Sequence, residues 1–192
     1  MGTNNKNIVI TSAVRTAIGT FRGSLKDMQA KDLGALVTKA AMQKSNLDSN
    51  DIDELIMGQV LTGAAGQNPA RQASINAGIP NEVTAITINQ VCGSGLRSIA
   101  AGYQAIMSND SNIVVAGGQE SMSNAPQTIN IRDDQKLQES NLVDTMIKDG
   151  LWDAFNDYHM GITAENVAAK WQITRKDQDD FALSSQTKTE KA

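Results

Sequence analysis

Short apolar runs alternate with helical periodicity through the first 120 residues, and this alternation constrains the fold more than any other feature. The apolar runs that predict strands lie at residues 8–10, 55–61, 84–89 and 113–116. Helical patterns lie between them. Apolar residues recur at helical spacing at 33–41 and 96–106, and Pro69 opens a short predicted helix at 69–77 that Gly78 and Pro80 end. Strands that alternate with helices in this way predict an α/β domain with a mainly parallel sheet and helices on both faces.

The pattern changes after residue 120. Residues 121–150 are polar and show no clean period, which indicates an excursion from the sheet rather than another strand and helix. Helical spacing returns at 163–171 and 175–190, and Thr174 with Asp177 three residues later predicts a capping box at the start of the last helix.

Charge and composition argue against several classes of function. The net charge of −4 lacks the clustered Lys and Arg that nucleic-acid binding needs, and no apolar run is long enough to span a membrane. Residues 1–6 lack the apolar region of a secretory signal. One cysteine is too few for an internal disulfide or a multi-cysteine zinc site. We therefore predict a cytoplasmic protein without a metal or a bound cofactor, and without nucleic-acid or membrane partners.

The one cysteine, Cys92, lies between the third predicted strand and the helix that follows it. The unpaired N–H groups and the dipole at a helix N-terminus favour a thiolate and provide donors for an oxyanion. Gly93 and Gly95 allow a sharp turn and leave room for a substrate. These features predict an acyl-transfer nucleophile, although a lone cysteine is more often a small buried apolar residue. The pattern by itself leaves both roles open.

Residues 89–98, Asn-Gln-Val-Cys-Gly-Ser-Gly-Leu-Arg-Ser, closely resemble the acyl-cysteine motif of thiolases. Four further segments resemble thiolase segments in the same order, at 10–19, 58–73, 117–123 and 158–168. The resemblance implies a thiolase-like layered α-β-α N-terminal domain with a mainly parallel sheet, followed by part of an inserted lid domain. It places the incomplete α/β core at residues 1–121, without its fifth strand, and the partial lid at residues 122–192.

The resemblance also implies an activity. Thiolases of the biosynthetic, short-chain type condense two acetyl-CoA molecules to acetoacetyl-CoA and CoA, reversibly, through an acyl-cysteine, which would be Cys92. The Cys-Gly-Ser-Gly turn and the His-Met-Gly segment are similar to that type. Met160 would then narrow the acyl pocket, and His159 would line the substrate pocket or be a lid residue without chemistry. Coenzyme A thioesters are the implied substrates, and the full-length protein would be a homo-oligomer that pairs through residues 84–89.

Departures from the family keep alternatives open. Thiolases have about twice this length, and their catalytic histidine, second cysteine and Asn-Glu-Ala-Phe segment lie in the C-terminal half. Residues 126–127 are Pro-Gln where the family has Pro-His, and residues 132–141 lack its glycine-bearing pattern. One alternative is a truncated, non-catalytic fragment or a subunit that needs a partner chain. Another is a relative of ketoacyl synthases or hydroxymethylglutaryl-CoA synthases, against which the Cys-Gly-Ser-Gly and His-Met-Gly segments argue.

Overall fold

The computed structural model describes residues 7–131 and 142–192. The chain divides into two compact units, Met1–Gly150 and Leu151–Ala192. The departure from the family pattern at residues 132–141 lies outside the described residues. The domain boundary predicted after residue 121 stays a prediction.

A parallel three-stranded sheet organises the described part of the first unit. Its strands follow the spatial order β2-β1-β3, and both neighbours of β1 run parallel to it. Gly58 at the end of β1 lies opposite Ile88 and Gly118, so the three strands end level and their following loops meet at one edge. The elements are α1 (Ala30–Lys44), β1 (Glu54–Gly58), α2 (Pro69–Asn76), β2 (Thr84–Ile88), α3 (Ser94–Met107) and β3 (Val114–Gly118).

One face of the sheet packs against α1 and α2. Leu55 in β1 is completely buried, and its neighbours in the ladder, Ala85 and Val115, pack against the same core. Ala35 from α1 and Ala73 from α2 belong to that core. Side chains of successive strand residues point to opposite faces, so this core takes every second residue of each strand.

The other face of the sheet packs against α3. A Cβ placed on Gly102 would lie 3.1 Å from Val114 Cγ1 and 3.6 Å from Ala116 Cβ, so the helix approaches β3 closely. Helices therefore cover both faces, and the layered α/β architecture predicted from the sequence is confirmed.

Small residues, not large apolar ones, form the buried side of α3. Its buried residues are Ser94, Ser98 and Gly102, which recur at every fourth position. Leu96, which is 75% exposed, and the exposed Tyr103 lie on other sides of the helix. The apolar spacing at 96–106 thus predicted the helix correctly but did not mark the side that packs on the sheet.

The strand predicted at residues 8–10 is wrong. Val9 and Ile10 are 71% and 78% exposed and pair with no strand among the described residues. The chain that follows them contacts the C-terminal part of α1 instead, where Ser12 Oγ donates a hydrogen bond to Ala41 O. A run of three apolar residues is too short to specify a ladder partner. The sheet therefore has three strands in the part of the chain that the structure describes, not the four predicted.

The other strands are predicted correctly, but their ends differ. β1 and β2 stop at Gly58 and Ile88, before the ends predicted at residues 61 and 89. β3 continues through Gly118, beyond the end predicted at residue 116. The predicted helices at 33–41, 69–77 and 96–106 correspond to α1, α2 and α3.

Shorter elements follow the sheet, and the sequence did not predict the strands among them. In the first unit, β4 (Gln127–Thr128) pairs antiparallel with β5 (Val143–Asp144). A π-helical segment, Met146–Leu151, ends at the first residue of the second unit. The second unit contains β6 (Trp152–Asp153), β7 (Tyr158–His159), α4 (Met160–Trp171) and α5 (Arg175–Lys191). The capping box between Thr174 and Asp177 is confirmed at the start of α5. Within residues 7–131 and 142–192, no helix has the length and apolar character needed to cross a membrane.

Candidate active site

Cys92 lies in the turn between β2 and α3, and its side chain is exposed. The preceding residue, Val91, has a φ of 48°, in the left-handed region that β-branched residues rarely adopt. Asn89 Oδ1 accepts the Val91 N–H at 2.8 Å and so holds this conformation from the β2 side. Backbone outliers of this kind persist only where the surroundings fix them, and they cluster at functional sites.

Ser94 holds the same turn from the α3 side. Its Oγ accepts the N–H of Gln90 at 2.8 Å and donates to the carbonyl oxygen of Val91 at 2.6 Å. The side chain is only 4% exposed. The N–H of Gly93 also donates to Gln90 O, at 3.1 Å. The polar groups around Cys92 are therefore largely bonded to one another, which fixes the turn while the thiol stays exposed.

The N-terminus of α3 follows Cys92 by two residues and has no side-chain cap. The N–H groups of Gly93 and Ser94 are bonded within the turn. Among the hydrogen bonds of the described residues, none uses the N–H of Gly95 or of Leu96. Gly95 lines the same cleft as Cys92. Free N–H groups and the positive end of the helix dipole are suited to the oxyanion that forms when a thiol attacks a carbonyl.

The cleft beside Cys92 lies at the carboxyl edge of the sheet and has a volume of about 280 Å³. Ligands of parallel α/β sheets commonly bind at this edge. The loops after all three strands contribute to its lining, which consists of Gly58, Gln59, Val60, Val91, Cys92, Ser94, Gly95, Gly118, Gln119 and Glu120.

Glycines let α3 sit directly on the strand ends. A Cβ on Gly58 would lie 2.4 Å from the carbonyl carbon of Ser94, which is too close for any side chain. A Cβ on Gly118 would lie 3.4 Å from Gly95 Cα. This close approach brings the helix N-terminus, and Cys92 before it, to the edge where the strands end.

Glu120 is a residue that the sequence did not single out. It follows β3 and is half-buried, and apart from Cys92 it is the one ionisable residue in the cleft lining. Its Oε2 accepts the N–H of Val60 at 2.9 Å and its Oε1 accepts that of Leu61 at 3.1 Å. Burial raises the pKa of this carboxyl above its usual value, and the two hydrogen bonds act in the opposite direction. Its position directly after β3 was the available signal.

His159 and Met160 lie in the second unit, where both are half-buried. His159 ends β7 and caps α4, because its Nδ1 accepts the N–H of Gly161 at 3.0 Å. The neutral imidazole then carries its hydrogen on Nε2, which is free to donate. Met160 is the first residue of α4. The substrate-binding roles predicted for both side chains stay predictions, as does the nucleophilic role of Cys92.

The described residues contain no group of His, Cys, Asp and Glu side chains that could hold a metal ion.

Known proteins match the chain along nearly its whole length. The family described as thiolase, N-terminal domain, matches residues 8–192. An acetyl-CoA acetyltransferase of Paracoccus denitrificans is 57% identical over 184 residues, which cover 96% of this chain and 47% of the relative. Acetyl-CoA acetyltransferases of Cupriavidus necator and Rhizobium meliloti are 56% and 53% identical, over 97% and 98% of this chain and 48% of each relative. The chain thus spans about half the length of the curated relatives it matches.

Proposed function

The chain belongs to the thiolase family, and from this premise we propose that the whole protein is an acetyl-CoA C-acetyltransferase. It condenses two acetyl-CoA molecules to acetoacetyl-CoA and CoA, and it catalyses the reverse thiolysis. The observation that carries the proposal is the exposed Cys92 on a hydrogen-bonded turn directly before a helix N-terminus. The relatives named above, all acetyl-CoA acetyltransferases, support the choice of substrate.

The first half-reaction uses the groups around Cys92. The Cys92 sulfur attacks the thioester carbonyl of acetyl-CoA, the bond between that carbon and the CoA sulfur breaks, and CoA leaves as a thiol with the proton that Cys92 gives up. Gly95 lines the cleft and its N–H has no partner among the described residues, so we assign this N–H as a donor to the oxyanion. The product of this step is an acetyl thioester on Cys92.

The second half-reaction needs a base that removes a proton from the methyl group of another acetyl-CoA. Cys92 is the one cysteine of this chain and His159 its one histidine, and Cys92 already carries the acetyl group. By the family resemblance, a second cysteine and a further histidine supply the base and the remaining oxyanion donor. We assign those two residues to a part of the protein outside residues 1–192. The carbanion then attacks acetyl-Cys92, and the Cys92 sulfur is released as the new carbon–carbon bond forms.

The family resemblance supports two further parts of the proposal. Met160 narrows the acyl pocket toward acetyl and acetoacetyl groups, and His159 lines the substrate pocket. The whole protein is a homo-oligomer, an assignment supported by the position of β2 at an edge of the three-stranded sheet. A cytoplasmic location stays a prediction from the sequence.

The test is thiolysis of acetoacetyl-CoA by the whole protein, with Cys92→Ala as the variant. We expect kcat to fall by at least about 10³-fold, because the variant has no nucleophile to accept the acyl group. Cys92-independent turnover would contradict the mechanism. Failure of the wild-type protein to turn over would favour a non-catalytic thiolase-like protein, and activity that appears only with a second chain would favour a subunit of a larger enzyme.

A further inference from the structure

The cleft that holds Cys92 carries a negative charge that the acyl-transfer steps do not require. Glu120 shares the cleft lining with Cys92, and the other lining residues are uncharged. Within residues 7–131 and 142–192, no cationic side chain forms an ion pair with Glu120. Among the described residues, the groups that offset the carboxylate charge are two backbone N–H groups.

The carboxylate is fixed in the cleft wall. Each of its oxygens accepts one N–H, from Val60 or Leu61, in the loop that follows β1. That loop is itself held, since Gln59 Nε2 donates to Leu61 O at 2.8 Å. Gln119 Nε2 in turn donates to Gln59 Oε1 at 2.8 Å, and both glutamines are buried. The Glu120 side chain is therefore tethered at both oxygens, and its charge stays beside the cleft.

This charge opposes the potential of the α3 N-terminus. An uncapped helix N-terminus with free N–H groups favours anions, and the first two residues of α3, Ser94 and Gly95, line the cleft. Without Glu120, a substrate with a negatively charged acyl group would be attracted toward Cys92. With Glu120, a second negative charge in the same small cleft is repelled.

We propose that Glu120 is a specificity-determining residue that excludes negatively charged acyl groups from Cys92 and reserves the thiol for neutral ones. Carboxylate-bearing acyl thioesters would be the excluded class, and acetyl and acetoacetyl thioesters the accepted one. For acyl thioesters the inference rests on the proposed function. The same repulsion acts on any thiol-directed reagent, whether or not the protein transfers acyl groups.

Two alkylating reagents of similar size isolate this effect. Iodoacetamide is neutral and iodoacetate is an anion, and both react with the thiolate form of cysteine. The ratio of their rates at Cys92 therefore cancels changes in the thiolate fraction and reports the potential beside the thiol. Mass spectrometry of the peptide that contains Cys92 gives both rates in the whole protein, at low ionic strength where screening is weak.

We expect Glu120→Gln to raise the rate of iodoacetate relative to iodoacetamide by roughly three- to tenfold, the size expected for charges that share one small cleft. Glu120→Asp keeps the charge but shortens the side chain, and it should keep the wild-type ratio within about twofold. Glu82→Gln removes one negative charge near the opposite end of β2 and should leave the ratio unchanged.

An unchanged ratio in Glu120→Gln, with both rates shifted equally, would show that Glu120 acts only as a clamp on the loop and would overturn the proposal. So would an equal shift in Glu82→Gln, because the effect would then be one of net charge. If Glu120→Gln does not fold, the Glu120→Asp variant provides the test. A Glu120→Asp protein that no longer discriminates between iodoacetate and iodoacetamide would contradict a role for the charge. No acyl transfer is measured, so an inactive protein leaves the result interpretable.

Discussion

The placement of Cys92 depends on neighbours that do not react. Val91 adopts an unfavourable backbone conformation, and Asn89 and Ser94 hold it there through hydrogen bonds from both sides. The strained conformation of Val91 and the hydrogen bonds that hold it place the Cys92 thiol in the cleft, in front of the α3 N-terminus. The chemistry proposed for Cys92 therefore depends on the packing of three other residues.

Ser94→Ala tests this dependence. The substitution removes two part-buried hydrogen bonds of Ser94 Oγ, from the N–H of Gln90 and to the carbonyl oxygen of Val91, and two such bonds together contribute about 1–3 kcal/mol. We expect the free energy of unfolding, measured by chemical denaturation, to fall by that amount, and the alkylation rate of Cys92 to change with it. Ser108→Ala is the control, because Ser108 Oγ makes an exposed bond to Ala105 O at 3.0 Å. Equal effects of the two substitutions would argue against a special role for Ser94.

Asp53 and Glu54 are neighbours whose carboxyls respond oppositely to pH. Hydrogen bonds from the N–H groups of Asn112 and Ile113 lower the pKa of Asp53, whereas burial and the charge of Asp110 raise the pKa of Glu54. A carboxyl whose pKa is lower in the folded than in the unfolded protein stabilises the fold at pH values above the unfolded-state pKa. This stabilisation is lost as the pH falls through the folded-state pKa. A carboxyl whose pKa is higher in the folded than in the unfolded protein stabilises the fold at pH values below the unfolded-state pKa. This stabilisation is lost as the pH rises through the folded-state pKa.

Asp53→Asn should therefore be less stable than the wild type at neutral pH, with a difference that shrinks as the medium becomes more acidic than the usual aspartate range. Glu54→Gln should be more stable than the wild type at neutral pH, with a difference that disappears in acid. Denaturation of both variants across the acid range measures these slopes. The difference in unfolding free energy between variant and wild type should change with pH in opposite directions for the two variants. A change in the same direction would contradict the causes assigned to the two pKa shifts.

The sequence pointed to Cys92 but not to Glu120. A cysteine between a strand and a helix, flanked by glycines, is visible in the sequence and predicted the turn that the structure shows. Glu120 follows a strand in the same way, but an acidic residue at a strand end is common. Its importance emerges only when the parallel register brings the ends of β1 and β3 together. The left-handed φ of Val91 could not be predicted, because valine disfavours it.

At the scale of elements, the contact between α3 and the strand ends positions the candidate site. Gly58 and Gly118 lie at corresponding positions of β1 and β3, and the first turn of α3 rests on both. A side chain at Gly58 would lift the helix and with it the Cys92 turn. The absence of a Cβ at Gly58 is therefore a requirement of the site as well as of the packing.

Gly58→Ala should destabilise the protein by about 1–3 kcal/mol, the usual penalty for overpacking, because its Cβ would collide with the backbone of Ser94 and Gly95. Gly117→Ala is a matched control, since its Cβ would meet only the flexible Met57 side chain, at 3.6 Å. Thermal or chemical unfolding measures both. A Gly58→Ala variant as stable as Gly117→Ala would show that α3 can shift without penalty.

Periodicity predicted the helices well and the packing of their faces less well. Helical spacing identified α1 and α3, because a period near 3.6 residues persists over several turns in each, whereas Pro69 at its start identified the short α2. It did not identify the packed side of α3, since Ser94, Ser98 and Gly102 are not apolar enough to be noticed. The run at residues 8–10 failed for a different reason, because strand formation depends on a partner that lies elsewhere in the chain.

At the scale of the whole molecule, β2 is one of the two strands, with β3, that have an unpaired edge in the described sheet. The N–H of Gln59 donates to Ile88 O, so Ile88, and by alternation Ile86, bond to β1. Ala85 and Thr87 then direct their backbone groups away from β1, and Asn68 Nδ2 donates to Ala85 O at 2.9 Å. An edge of this kind is where the proposed homo-oligomer would pair strands.

Ala85→Pro removes an outward N–H of β2 and spares the ladder with β1, so we expect it to weaken the oligomer. Ala85→Ser keeps the N–H and should behave like the wild type. Light scattering coupled to size exclusion gives the mass of each variant. An oligomer of unchanged mass and unchanged dilution behaviour in Ala85→Pro would rule out pairing through this edge.

The central claim is that Cys92 carries the acyl group, and trapping the acyl-enzyme tests it most directly. The whole protein is mixed with acetyl-CoA, quenched in acid and digested, and acetylated peptides are identified by mass spectrometry. We predict one acetyl thioester, on the peptide that contains Cys92, which hydroxylamine removes and which Cys92→Ala does not form. A protein that turns over acetoacetyl-CoA with its acetyl group on another residue, or with none on Cys92, would contradict the account.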